Sequence, residues 1–449
     1  MIKTLKINVA YDEILEINEI QNKIVSLPNL SRYEIEPQWM LWLKENQLNN
    51  FYKYKQLSEF LDNTHKTFIE NTIDFFYENN LEFIYPIILY DNILFTNYQT
   101  IELNQKLIES VKNKKAKIVF FQLTESYFGQ SDNEFIWLDN LAVKYDFDID
   151  GIMVITANFC AVNLYKNNKF KIYPYSYFTN QLTFLNLKTL NKSINVRYNR
   201  DYLKYINNNR TNNKEKHFLC FNGVPRLNRI AIFAEIKTNE KLVDKTILTL
   251  RGRHFFEIKH FYNVVNKGVD DSYDGLKNRL LNFLENYDSR SHTIYDIEDL
   301  ESLEANGGPF INYDAHSKTF VNIITETTYN KRSVFFTEKT SKPIYMCQPF
   351  IYFGSPYQIK ELQKLGYKTF NKWWDESYDD ELNFTKRMEK VVTIMEEIAS
   401  WDLNKCHNVM QEMEEVLIHN FNRLCNNNSD VLSLYDLLKT HTVKKTRII

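Results

Sequence analysis

Residues Phe335–Gly354 read FFTEKTSKPIYMCQPFIYFG. An apolar run stops at Thr337-Glu338-Lys339, a polar stretch passes through Pro343, and a second apolar run ends at Gly354. The pattern predicts a buried strand, a helix opening at Thr337, and a second buried strand. Thr337 suits an N-cap, and Glu338 complements the positive end of the helix dipole. Lys339 does not: a cation in the first turn opposes the dipole unless an anion is held there. Pro343 lies too deep for a free first-turn position, so a kink or an irregular first turn is expected.

The same alternation extends in both directions. Ala116–Ser126, Gly151–Phe159, His217–Gly223, Thr319–Glu326 and Pro349–Ser355 are short apolar runs that fit buried strands. Residues 104–115, 225–236 and 274–287 fit the helices between them. Strands alternating with helices imply an α/β fold with parallel sheets covered on both faces. With 449 residues the chain exceeds one ordinary core, so two α/β domains facing each other are expected. Tyr205–Lys216 is polar and aperiodic and reads as the linker, which gives domains 1–206 and 217–380. The remainder, 381–449, reads as amphipathic helices, with Met388, Val391, Val392, Met395 and Ile398 on one face and Val409, Met413, Val416, Leu417 and Leu424 on another.

Composition excludes several classes. The formal net charge of −2 gives no support to nucleic-acid binding by bulk charge. Five scattered cysteines without C-x-x-C spacing read as reduced thiols. The first residues lack the apolar core of a signal peptide, and no run approaches the roughly 20 apolar residues of a bilayer span. A cytoplasmic protein is therefore expected. There is no P-loop, no G-x-G-x-x-G and no G-x-S-x-G elbow. Asp146, Asp148 and Asp150 have D-x-D spacing but precede a strand rather than follow one, so they read as a solvated loop and not a metal site.

In parallel α/β folds ligands bind beyond the carboxyl ends of the strands. After His217–Gly223 come Arg226 and Arg229, three residues apart on the first turn of a helix. They are either surface arginines or, with the backbone N–H groups, a phosphate site.

Ser333–Pro356 (SVFFTEKTSKPIYMCQPFIYFGSP) resembles the donor-binding segment of fucosyltransferase-like glycosyltransferases of the two-domain GT-B fold. Cys220–Ile236 (CFNGVPRLNRIAIFAEI) resembles their arginine-bearing strand–loop–helix. The resemblance covers roughly residues 217 to 370. It implies two Rossmann-like domains facing a cleft, an acceptor-side domain at 1–206 and a nucleotide-sugar-binding domain at 217–380. It also implies that Glu338, opened by Thr337, holds ribose hydroxyls, and that Lys339 with Arg226 or Arg229 holds the pyrophosphate. Two features depart from the family. Lys342-Pro343 stand where those enzymes continue with an apolar-aromatic run, and the N-terminal half does not match them.

The expected activity is sugar transfer from a nucleotide-diphosphate sugar to an acceptor hydroxyl, inverting, with no metal and no other cofactor. Glu125, just past the strand run that starts at Ala116, is the expected general base. Asn158, Tyr175 and Tyr177 are the expected acceptor-side residues. The acceptor is a glycan, a lipid-linked sugar or, as in phage-type enzymes, a modified DNA base. The competing expectation is a catalytically silent nucleotide-binding scaffold of the same fold. The oligomeric state is not legible in the sequence.

Overall fold

The computed structural model describes residues 7–11, 68–88, 102–122, 128–129, 131–175, 214–223, 225–250, 258–268, 275–286, 311–425 and 438. The chain divides into two compact units, Met1–Tyr175 with Val431–Ile449, and Ser176–Asp430. Of the expected linker, residues 205–213 lie outside the described residues. Lys214 is buried and Lys216 already opens a strand.

The first unit contains β1 (Ile7–Tyr11), β2 (Phe68–Thr72), α1 (Ile73–Glu78), β3 (Phe83–Ile88), α2 (Gln105–Lys112), β4 (Ala116–Gln122), α3 (Asp132–Tyr145), β5 (Ile152–Thr156), α4 (Ala161–Leu164) and β6 (Lys171–Pro174). The strands form one sheet in the order β2-β1-β3-β4-β5-β6, and every pairing is parallel. Every residue of β4 and β5 is buried, as expected of strands covered on both faces. Phe120, Phe135, Leu138 and Phe170 belong to the core on one face of this sheet.

The second unit contains β7 (Lys216–Asn222), α5 (Leu227–Thr238), β8 (Thr246–Leu250), α6 (Ile258–Gly268), α7 (Leu276–Asn286), α8 (Tyr313–Lys318), β9 (Thr319–Ile324), α9 (Glu338–Tyr345), β10 (Phe350–Tyr352), α10 (Gln358–Lys364), α11 (Phe384–Ala399), α12 (Leu403–Glu412) and α13 (Glu414–Cys425). Its sheet runs β10-β9-β7-β8, again parallel throughout. The chain moves outward from β7 to β8 in one direction and from β9 to β10 in the other. The order therefore reverses between β7 and β9, which is where such sheets leave a crevice beyond their carboxyl ends.

One local expectation is corrected and another refined. Val334–Phe336 is buried as predicted but joins no sheet; it is an extended loop leading into α9. The C-terminal stretch reads as helices, as expected, but the face from Val409 to Leu424 is divided between two of them: α12 ends at Glu412 with Met413 as its C-cap, and α13 begins at Glu414. No helix among the described residues is long and apolar enough to cross a membrane.

Candidate functional site

The β7/β9 reversal brings together the segments that the sequence singles out. At the strand ends, Thr325 Oγ1 donates to Asn222 Oδ1 at 2.6 Å. Asn228, in the first turn of α5 and fully buried, donates through Nδ2 to the carbonyls of Glu326 (2.9 Å) and Phe353 (3.3 Å). Arg229 is also buried, and its Nε donates to the Thr325 carbonyl at 3.3 Å. These two side chains tie the exits of β9 and β10 to α5. Arg229 is thus engaged with backbone, whereas Arg226 occupies the N-cap of α5 with a buried Nε that has no hydrogen-bond partner. The two arginines that the spacing placed on one turn therefore differ in engagement: Arg229 is held by backbone and the Arg226 Nε is not.

Glu326, two residues beyond β9, is fully buried and was not singled out from the sequence. Its Oε1 accepts from Thr337 N (2.9 Å) and Thr340 Oγ1 (2.6 Å). Its Oε2 accepts from Thr337 Oγ1 (2.7 Å) and Thr327 N (3.3 Å). Four donors around one carboxylate satisfy the charge that burial would otherwise penalise. Thr340 in turn accepts from the Tyr352 hydroxyl at 2.7 Å. Burial, reinforced by the charge of Glu326, keeps the Tyr352 phenol well above its ordinary pKa, so it stays a donor. The network fixes Thr337, whose hydroxyl caps α9 by accepting from Lys339 N at 3.2 Å. The helix opens with Thr340 N bonding to Thr337 O at 3.2 Å, and it continues through Pro343 to Tyr345.

Glu338 and Lys339 project from this anchored turn. Lys339 Nζ lies 2.7 Å from Glu338 Oε1 and 3.3 Å from Thr337 Oγ1, and both side chains are largely enclosed. Burial pushes the Glu338 carboxyl up, but the ammonium groups of Lys339 and Lys342 outweigh it and hold its pKa down at about 2. Lys342, one turn further on, is lowered to about 8, by burial first, with Glu338 acting against it and Lys339 adding to it. The site therefore offers a fixed carboxylate with acceptor capacity beside two ammonium groups. That set suits a ligand carrying both hydroxyls and negative charge.

On the first unit the expectations fare differently. Glu125 and Tyr177 lie outside the described residues. Asn158 follows β5 and is fully buried; its Nδ2 donates to the Phe128 carbonyl at 2.8 Å, and its Oδ1 accepts from Cys160 N at 3.0 Å. Those bonds give it the task of shaping the loop beyond β5. Tyr175 is buried, with its backbone N–H on the Thr156 carbonyl. The three aspartates of the D-x-D stretch each face a lysine: Asp146 faces Lys112 at 3.8 Å, Asp148 faces Lys114 at 3.1 Å, and Asp150 pairs with Lys171. They lie at the amino ends of β4 and β5, away from the carboxyl ends where ligands bind.

No family model matches the chain, and no curated protein matches it. Among solved structures it is similar to the N-terminal domain of Candida albicans trehalose-6-phosphate phosphatase, with 11% identity and a TM-score of 0.37 over 98% of each chain. A likeness that loose bears on neither fold nor function.

Proposed function

We propose that the second unit binds a nucleoside-diphosphate sugar and that the chain transfers the sugar to an acceptor hydroxyl, as in the glycosyltransferases that Ser333–Pro356 resembles. One observation carries this reading: an ionised Glu338 beside Lys339, on a helix opening held by buried Glu326, after the strand at which the sheet order reverses. Glu338 Oε1 is taken by Lys339, which leaves the carboxylate able to accept from the vicinal hydroxyls of a ribose. An ammonium has three donors, so Lys339 can keep its contacts to Glu338 and Thr337 and give the third to a phosphate oxygen. Negative charge builds on the departing diphosphate in the transition state, and fixed cations there lower the barrier. A Rossmann-like GT-B architecture, the donor role of Arg226 and Glu125 as general base belong to the same proposal.

Calorimetric titration of nucleosides and nucleoside diphosphates tests it. Lys339→Ala should weaken the diphosphates far more than the nucleosides, because only the former carry phosphate. Glu338→Gln should weaken both and should lose the preference for ribose over 2′-deoxyribose. Equal losses in Lys339→Ala together with an unchanged sugar preference in Glu338→Gln would overturn the assignment. Slow release of nucleoside diphosphate from a sugar nucleotide would separate an enzyme from a silent binding protein.

A further inference from the structure

Resting on that nucleotide reading, we infer that Lys342 is the second phosphate ligand of the site, holding diphosphate oxygens alongside Lys339. Lys342 lies four residues beyond Glu338 and three beyond Lys339 on α9, so the three side chains share one helix face. It is partly buried, yet its ammonium makes no hydrogen bond or ion pair among the described residues. The carboxylate of Glu338 is already engaged by Lys339, which leaves one positive charge in excess over the three side chains. Ser341, beside Lys342 in the sequence, has a fully buried hydroxyl without a partner. A half-buried cation whose nearest carboxylate is already engaged gains from an anion that meets it.

Among the described residues, Asp314, Glu326 and Glu415 on neighbouring elements all have other partners. On α8, Asp314 pairs with Lys318 at 3.0 Å. Buried His316 is held neutral, with its pKa pushed down to about 4 by burial, and its Nδ1 lies 2.7 Å from Gln348 Oε1. Glu326, beyond β9, is saturated by its four donors. On α13, which packs against α9, Glu415 pairs with Lys368 at 2.6 Å, while His419 and Arg423 bond to the carbonyls of Gly366 and Leu365. Among the described residues, Glu338 on its own helix is the acidic group that acts on Lys342, and Lys339 repels it. A bound diphosphate would supply the missing charge and favour the protonated ammonium. Binding near pH 8 should then take up a proton.

The test is titration calorimetry on the full chain with inorganic pyrophosphate and with ADP, GDP, CDP and UDP, in two buffers of different ionisation enthalpy at about pH 8. The parent should bind with net proton uptake. Lys342→Met should lose about tenfold or more in affinity, the usual range for a charge-assisted hydrogen bond, and should lose the uptake as well. Lys342→Arg should keep the affinity without the uptake, because a guanidinium is protonated throughout; it also serves as the deciding variant should the methionine chain not fold. Parent-like affinity in Lys342→Met, persistent uptake in Lys342→Arg, or no binding of any of these ligands to the parent would overturn the assignment. If pyrophosphate binds through Lys342 and no nucleoside improves on it, the phosphate assignment stands and the nucleotide reading fails. If a nucleoside diphosphate binds Lys342→Met as tightly as the parent, the reverse holds.

Discussion

Glu326→Gln is the sharpest probe of the buried network beneath the site. The substitution keeps the shape and replaces one acceptor oxygen with an amide NH₂. If the NH₂ takes the Oε1 position it faces Thr337 N–H, and if it takes the Oε2 position it faces Thr327 N–H. Either way one enclosed backbone donor loses its acceptor, which costs about 1–3 kcal/mol. The remaining bonds lose their charge assistance, so the total should be on the order of 2–4 kcal/mol. For a unit of this size that lowers the melting temperature by roughly 5–10 °C. Thermal melting followed by circular dichroism reads the shift. A double-mutant cycle with Thr340→Val checks its origin, because Thr340 links Glu326 to the Tyr352 hydroxyl. The two changes should couple by about 1 kcal/mol. A melting temperature within about a degree of the parent, or a strictly additive cycle, would refute the idea that this network holds the opening of α9.

Three further outcomes are expected. Burial raises the Glu376 carboxyl from its ordinary 4.5 to about 7, so the folded state binds its proton more tightly than the unfolded state, and the ionised form is penalised above that pH. Glu376→Gln, which can still accept from Phe370 N, should stabilise the second unit by about 2 kcal/mol at pH 8 and by nothing near pH 4.5, as read by urea unfolding; a gain that is the same at both pH values would contradict the assignment. A Cβ at position 354 would fall against Gln358 Oε1, well inside van der Waals contact, and 3.2 Å from the Thr328 carbonyl. Gly354→Ala should therefore cost roughly 1–3 kcal/mol, less in a Gln358→Ala background, and equal costs in both would show that the amide is not the obstacle. Sugar transfer should survive EDTA because lysines supply the positive charge, whereas loss restored by Mn²⁺ would bring Asp146, Asp148 and Asp150 back into consideration.

The strand–helix alternation was legible because both sheets are parallel and covered, so β4, β5 and β9 appear as unbroken apolar runs. Their ends were less so: the run predicted to Glu326 ends as a strand at Ile324, and Thr325 and Glu326 beyond it hydrogen-bond through their side chains to Asn222, Thr337 and Thr340. Val334–Phe336 misled because burial alone does not make a strand: Phe336 packs edge-on against Tyr352 of β10 and the Phe335 carbonyl accepts from Gln358 of α10, without ladder pairing. In the site, Thr337, Glu338 and Lys339 could be read because capping and the helix dipole act locally. Glu326 could not, because its importance lies in partners eleven and fourteen residues away. A glutamate closing an apolar run was the available signal. Lys342 looked like a departure from a motif and gains meaning only once the helix places it beside Glu338.

In the second unit β7 pairs with β9 through partners such as Lys216 and Thr319, about a hundred residues apart. At ordinary synthesis speeds β9 leaves the ribosome roughly 5–20 s after β7. Through that interval β7 can dock β8 on one side while its other side remains an open apolar template. The clasp of Asn228 on Glu326 and Phe353 closes later still. Nascent chains halted before Thr319 should thus be prone to association and unable to bind phosphate. In refolding, ligand binding should appear with the slowest phase, which makes it a reporter of completed folding rather than of early collapse.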